Sequence, residues 1–327
     1  MSSRSNRQAW RRRPVILAAV AIGLGLGFQP GAHADGGSAV TGAFALLEPG
    51  GRGPALAGAV GPIVDDPTAI YWNPARLTRV DRPGLAVTYA DLYDLDLVHH
   101  TGLFLAWPRQ PRGIGWESGK VTMRHEPARS AWGLSVLATT VDLQPDTYSE
   151  YDIGLAMARR GTWGIDYAVV LHGLLVRSDL EGTDATGYAL DLALARPIVA
   201  GLQASVVMRS LFSSLNWEGS DTETLIPRVH AGLGWAPHAC LRIPIEATWD
   251  LEQALLQQAA AGAEWSPWGG TLSLRAGARW RDDGETTDVY PAAGLGVRWM
   301  RIAFDYGWAA GREELGDTHR LGLGYQF

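Results

Sequence analysis

Adjacent histidines, His99 and His100, are the first pair in the chain that suggests a metal. Ligands must converge on one ion, and neighbouring residues on a strand project to opposite sides, so this pair cannot act from one face. Cys240 is the only cysteine, which excludes an internal disulfide and a multi-cysteine metal site. Serines, histidines and aspartates are present, but no Gly-x-Ser-x-Gly elbow or comparable spacing marks a nucleophile. No catalytic residue, metal or cofactor is expected, and an enzyme ranks behind the other readings.

The residues that could act together are ionic. Arg228, Arg275, Arg279, Arg301 and Arg320, with Asp166, Asp191, Glu246, Glu264 and Asp305, sit in segments where they share a face opposite apolar residues. Such a set can line a path for a solute, or it can form a ladder of salt bridges that braces a wall; the sequence leaves both open. Acidic clusters from Asp142 to Glu150, Asp179 to Asp184, Glu218 to Glu223, Asp282 to Asp288 and Glu313 to Asp317 are read as solvated connections. The net charge of -6 argues against a nucleic-acid partner, which would need a basic surface.

The elements that must hold these charges are strands. From Pro83 onward apolar residues recur at every second position, in segments separated by Gly, Pro, Asp and Asn clusters. Leu272, Leu274, Ala276, Ala278 and Trp280 alternate with Ser273, Arg275, Gly277, Arg279 and Arg281, and three arginines on one strand face cannot lie in a packed core. The segment before the last sets Ile302, Phe304, Tyr306 and Trp308 against Arg301, Ala303, Asp305 and Gly307. The last sets Leu321, Leu323, Tyr325 and Phe327 against Arg320, Gly322, Gly324 and Gln326.

A soluble sandwich also alternates, so the solvent is decided by other features. Trp132, Trp163, Trp235, Trp268, Trp299 and Trp308 fall at segment ends, where amphipathic rings suit a membrane interface. The segments run to about 9 to 12 residues, the length of a tilted spanning strand rather than of a globular one. Only closure removes unpaired backbone edges from hydrocarbon. The expectation is an all-β, transmembrane antiparallel barrel of about fourteen strands over residues 83–327. The connections sort by parity into loose acidic ones and tight ones rich in Arg, Gly and Pro, which places both termini on the periplasmic side. The stretch from Arg109 to Ser130 breaks this parity, as an insertion or an additional hairpin.

Residues 1–34 read as a cleavable signal peptide: Arg11, Arg12 and Arg13, an apolar run to Phe28, then Ala32, His33 and Ala34. Residues 35–82 show no alternation but carry helix-start signals, with Asp66-Pro67 and Asn73-Pro74 each placing a capping side chain before a proline. A run containing Ala55, Leu56, Ala57, Ala59 and Val60 suggests a further short apolar helix. A fourteen-strand lumen is too wide for its own side chains to fill, so this segment is expected to plug it.

The stretch Gly50-Gly51-Arg52-Gly53, then Asp65-Asp66-Pro67-Thr68-Ala69-Ile70-Tyr71-Trp72-Asn73-Pro74-Ala75, resembles the N-terminal hatch of the FadL-type outer-membrane channels and of the related PorV/PorQ proteins. The resemblance implies that Asp65, Asp66, Pro67, Tyr71, Asn73, Pro74 and Ala75 are plug residues. Arg320, Gly322, Tyr325 and Phe327 resemble the signal read by the barrel-assembly machinery. Together these imply residence in the bacterial outer membrane, in contact with its lipid. They also imply passage of a small hydrophobic solute past the plug, with hatch movement and an opening in the wall as the route. The alternative is a PorV-like component of a secretion system that docks an exported protein.

Overall fold

A computed structural model of the chain describes residue 44 and residues 48–92, 97–109, 113–117, 120–124, 128–142, 145–179, 183–219, 222–282, 287–311 and 316–327. The expected signal peptide, the first residues of the expected plug and parts of several connections lie outside these. Fourteen strands pair in sequence order into one closed antiparallel barrel. They are β1 Gly84–Leu92, β2 Val98–Arg109, β3 Ser130–Asp142, β4 Thr147–Arg160, β5 Asp166–Ser178, β6 Ala185–Val199, β7 Leu202–Trp217, β8 Arg228–His238, β9 Leu241–Asp250, β10 Leu255–Trp265, β11 Leu272–Asp282, β12 Thr287–Trp299, β13 Ile302–Ala309 and β14 Thr318–Gln326. Closure runs through β14 and β1, in register from Gly84 opposite Gln326 to Asp91 opposite His319.

The alternation becomes two surfaces. Leu103, Leu134, Leu155, Leu171, Leu194, Leu233, Leu274 and Leu323 point outward and are exposed, an apolar belt with no protein against it. Many inward positions are polar or small, with large apolar residues such as Phe104, Val170 and Val207 where the wall meets the plug core, and several inward positions against the N-terminal segment are glycine. A Cβ at Gly277 would stand 2.6 Å from the backbone carbon of Leu56, and one at Gly307 would stand 2.3 Å from the Gly51 carbonyl oxygen. Backbone lies against backbone there, which only glycine permits.

Where the chain reverses at the end carrying Pro83 and Phe327, the turns are short and several contain a left-handed residue: Trp163 (φ 59), Gly201 (φ 77), Trp268 (φ 55) and Met300 (φ 53). Trp163, Trp268 and Trp299 are largely exposed at this rim. The long stretch from Arg109 to Ser130 contains a separate two-stranded hairpin, Gly113–Glu117 with Lys120–Arg124, which accounts for its length.

Three expectations change. Arg301 does not face the lumen; it lies exposed in the turn between β12 and β13, because strand β13 begins only at Ile302. Glu150 is not in a connection: β4 begins at Thr147 and turns Glu150 into the barrel, where Tyr148 Oη donates to it at 3.0 Å and the Phe44 amide at 2.8 Å. The run from Ala55 to Val60 is not a helix, since Ala57 (φ 56) and Gly58 (φ 89) take left-handed conformations that break it into turns.

The N-terminal segment fills the lumen with α1 Arg52–Ala55, α2 Ala69–Trp72 and a 3-10 helix at Pro74–Arg79. Leu56, Val60, Ile63, Val64, Ile70 and Leu77 are fully buried and form one core with Phe104, Ala131, Ala156, Val170 and Val207 of the wall. Burying such side chains supplies about 1.5–3 kcal/mol each, so the segment is held chiefly by its contact with the barrel.

Candidate functional site

The seat of this plug is built from the residues of its motif. Asn73 is fully buried; its Oδ1 accepts from the Ala75 amide at 3.2 Å and its Nδ2 donates to the Gly61 carbonyl at 3.1 Å. Pro74 occupies the first helical position, where a missing amide costs nothing. Asp66 Oδ1 accepts from the Thr68 amide at 2.9 Å, turning the chain into α2. Pro67, Pro74 and Ala75 are buried, and Tyr71 is half-buried with its ring against Trp72. Asn73→Ala leaves the Gly61 carbonyl and the Ala75 amide unsatisfied in a dry core. It is expected to lower the unfolding free energy by about 1–3 kcal/mol, read from urea titration in detergent.

Ion pairs then tie plug to wall at three places. Arg52 donates from Nε and Nη2 to both oxygens of Glu264, at 2.9 and 3.0 Å, and from Nη1 to Asp65 and Asp66, at 2.6 and 3.0 Å. Glu264 also receives Arg275 at 2.8 Å, Arg275 continues to Asp305 at 2.6 Å, and Arg242 reaches Asp65 at 2.8 Å. At the second place Asp166, fully buried, is shared by Arg79 of the plug at 2.8 Å and Arg160 of the wall at 3.0 Å. At the third, Glu48 accepts from Arg279 through its carboxylate and from Arg320 through its carbonyl, while Arg279 Nε donates to the Ala57 carbonyl at 2.9 Å. Thus Arg275, Arg279, Arg320, Asp305, Glu264 and Asp166 meet plug residues or their partners, Glu246 accepts from the Gly61 backbone of the plug and also lines a cavity, and Arg228 lines the same cavity.

Electrostatics keep the plug carboxylates Asp65 and Glu48 charged. Burial pushes the Asp65 carboxyl up, but the guanidiniums of Arg52 and Arg242 outweigh it and hold the group well below the carboxylate range. Burial likewise opposes ionisation of Glu48, and Arg279 and Arg320 reverse the balance. Among the described residues Arg76 makes no close ion pair: Nε donates to the Val64 carbonyl at 2.6 Å and Nη1 to Gln203, and burial, opposed by the Asp65 charge, lowers it to about 10. A carboxylate depressed in the folded state adds stability that is complete above its unfolded pKa, near 3.8 for Asp65, and is lost as pH falls through its folded value. The unfolding temperature is therefore expected to hold between about pH 8 and 5 and fall below about pH 4. Asp65→Asn removes part of that fall, measurable by the gel shift of heated samples.

Beyond the plug, toward the rim opposite the termini, lie two connected spaces. The larger, a vestibule of about 510 Å³, is bounded by Ala57, Gly58, Tyr71 and Trp72 of the plug and by Leu225 and Ile226 of the β7–β8 connection. Arg209, Arg228, His230, Glu246 and Thr248 line its wall, so this space is polar. The smaller chamber, about 80 Å³, shares Phe44, Tyr71, Arg209, Ser210 and Leu225 with it and adds Ile70, Leu137, Leu174 and Ala189.

A bulge places the shared residues. Leu190 pairs with Phe212 and Leu192 with Met208, so Asp191 alone faces three residues of β7, with Ser210 at φ 51. Asp191 caps the bulge by accepting from the Ser210 amide at 2.8 Å. His172 lies between Asp152, at 2.7 Å, and Asp191, at 3.3 Å, joining β4, β5 and β6. Arg209 thereby reaches the lumen, lies 4.1 Å over the Tyr71 ring and donates to the Tyr71 carbonyl at 2.5 Å.

Sequence reasoning missed Arg52, Arg79, Arg209, Glu48 and His172. Arg52 lies inside the hatch-like motif, but nothing in its spacing ties it to Glu264, 212 residues away. For Arg209 the one signal was the loss of clean alternation near Leu211. At the C-terminus Arg320 faces inward, Gly322 lies near Gly51, and Tyr325 and Phe327 are outward with rings edge-to-face at 5.5 Å.

No protein-family model matches the chain, and no curated protein matches it in sequence. Among solved structures it is similar to the CymD monoaromatic hydrocarbon channel, with TM-score 0.61 and 11% identity over 87% of this chain and 99% of that one. It is similar to a Pseudomonas aeruginosa FadL homologue, with TM-score 0.60 and 11% identity over 86% and 99%. It is also similar to the Pseudomonas putida toluene transporter TodX, with TM-score 0.58 and 9% identity over 85% and 97%. In fold, the chain is a closed fourteen-strand barrel like those of the FadL-type channels.

Proposed function

We propose that this chain is an outer-membrane channel that passes small hydrophobic molecules around its N-terminal plug. The observation that carries this reading is the arrangement of the lumen. A plug held by discrete ion pairs closes one end, and an accessible vestibule leads from the other end to a small chamber with an apolar side formed by Phe44, Ile70, Leu137, Leu174 and Ala189. The fold likeness to channels described as carrying toluene and other monoaromatic hydrocarbons supports the same solute class. The outward leucines suit hydrocarbon, and the exposed tryptophans at the turns suit its interface. The structural neighbours are transport channels, which supports transport rather than catalysis. The signal peptide over residues 1–34 and recognition of Arg320, Gly322, Tyr325 and Phe327 by the assembly machinery are parts of the same proposal.

Deleting the gene is expected to slow uptake of radiolabelled toluene by whole cells several-fold. Undiminished uptake, together with co-purification of exported proteins, would favour the PorV-like docking role instead.

A further inference from the structure

Taken as a channel, the lumen has a charge pattern that a neutral hydrocarbon does not use. Arg209 on β7 and Arg228 on β8 stand directly opposite each other in register. Like charges at such positions repel, and both side chains lie mostly out of solvent at the cavity wall. Among the described residues Arg209 donates one hydrogen bond, from Nη2 to the Tyr71 carbonyl, and its guanidinium lies over the Tyr71 ring. The Nε atoms of both arginines are buried without a hydrogen-bond partner among the described residues.

Two neighbouring carboxylates, Asp250 and Asp191, act on Arg228 and Arg209 by charge, but their hydrogen bonds go to other groups, Asp191 to the Ser210 amide at 2.8 Å and to His172. Asp250, in register with Arg228 on β9, turns Oδ1 to the amides of Glu252 and Gln253, at 2.9 and 3.0 Å. Glu48 serves Arg279 and Arg320, Glu223 accepts from Trp217 Nε1 at 3.0 Å, and Glu246 lies 3.5 Å from His230. The vestibule wall therefore presents five arginines against three glutamates. Two of those arginines face each other with donors to spare.

We infer that the paired guanidiniums of Arg209 and Arg228 form an oxyanion site, and that the solute this channel selects is a compact organic acid, an aromatic or short-chain carboxylate. A planar carboxylate between two guanidiniums would offset their repulsion and accept from the side-chain nitrogens that face the vestibule, the geometry for which arginine is suited. Arg209 sits at the junction of the two spaces, so a carboxylate held there puts the attached ring or short alkyl group beside Phe44, Ile70, Leu137, Leu174 and Leu225 in the chamber. That space of about 80 Å³ limits the body to one ring or a short chain. Orientation follows from charge as well. Asp152, committed to His172, and Glu150, committed to Tyr148 and Phe44, make the side of the chamber away from Arg209 repel an anion. The acid enters body first and leaves its charge at the arginines.

Arg228 is the residue to change, because Arg209 also holds the plug through Tyr71. Purified protein in detergent is titrated with benzoate by tryptophan fluorescence, and cells expressing wild type, Arg228→Gln or Arg228→Lys are given labelled benzoate and toluene in parallel. The expected results are saturable benzoate binding and a loss of about tenfold or more in affinity for Arg228→Gln, the effect of one charge-assisted hydrogen bond. The ratio of benzoate to toluene uptake should fall with it, and Arg228→Lys should recover part of both. Benzoate binding that is absent, or equal in wild type and Arg228→Gln, overturns the oxyanion site. Passage of toluene without benzoate overturns it while leaving the channel standing; passage of neither overturns both.

Discussion

Arg52→Ala is expected to turn a closed barrel into a leaking one. The Arg52 side chain is nine-tenths buried and holds Glu264 through two nitrogens, together with Asp65 and Asp66. Removing it leaves two plug carboxylates near a buried wall carboxylate with no cation of the plug between them. Breaking a buried ion pair by deleting one partner costs about 3–5 kcal/mol, because the survivor remains charged and dry. Arg242 and Arg275 still neutralise part of the cluster, so the loss falls mainly on plug seating rather than on the wall. If that cost is borne by docking alone, the unseated fraction rises by about two to four orders of magnitude. In planar bilayers the wild-type protein should conduct rarely, and Arg52→Ala should open frequently with larger steps. Equal conductance in the two would show that the pairs brace the wall without holding the plug.

Leu171→Arg is expected to destabilise the barrel by about 2–4 kcal/mol, the cost of an arginine on the lipid face near the bilayer midplane. Leu171 is 58% exposed near the middle of β5, and it faces outward beside Leu155 of β4. At an equally exposed position on a soluble protein the same change would fall within about 0.5 kcal/mol of neutral. Two solvents for the outer face thus give different answers to one substitution. Urea unfolding in phospholipid vesicles measures it. A neutral result would place the leucine belt in water or against another protein.

Much of this architecture was legible in the chain because period two is a local property. Each strand announces its two faces within ten residues, as Leu272 to Arg281 does, and closure then follows from the impossibility of a bare edge in hydrocarbon. The N-terminal hatch was legible through Asn73-Pro74, where cap and proline together specify a helix start. What escaped depended on distant partners. Arg52 meets Glu264 across most of the barrel, and no local pattern encodes that meeting.

Strand ends were the other source of error. Arg301 continues the alternation of β13 in sequence, but the left-handed Met300 makes it part of the turn. Glu150 looked like loop acid because it sits among Asp142, Asp146 and Tyr148; only the Tyr148 and Phe44 donors explain its inward position. The bulge opposite Asp191 could not be read either, since an inserted residue looks like the end of a strand.

The most direct measurement is gain of uptake in a Gram-negative host with no comparable channel of its own, where the lipopolysaccharide leaflet slows hydrophobic solutes. Cells expressing this chain, with its folded state verified by heat-dependent gel mobility, should take up labelled toluene or benzoate several-fold faster than cells carrying an empty vector. A correctly folded barrel in the outer membrane that leaves both rates at the vector level would contradict passage through this lumen.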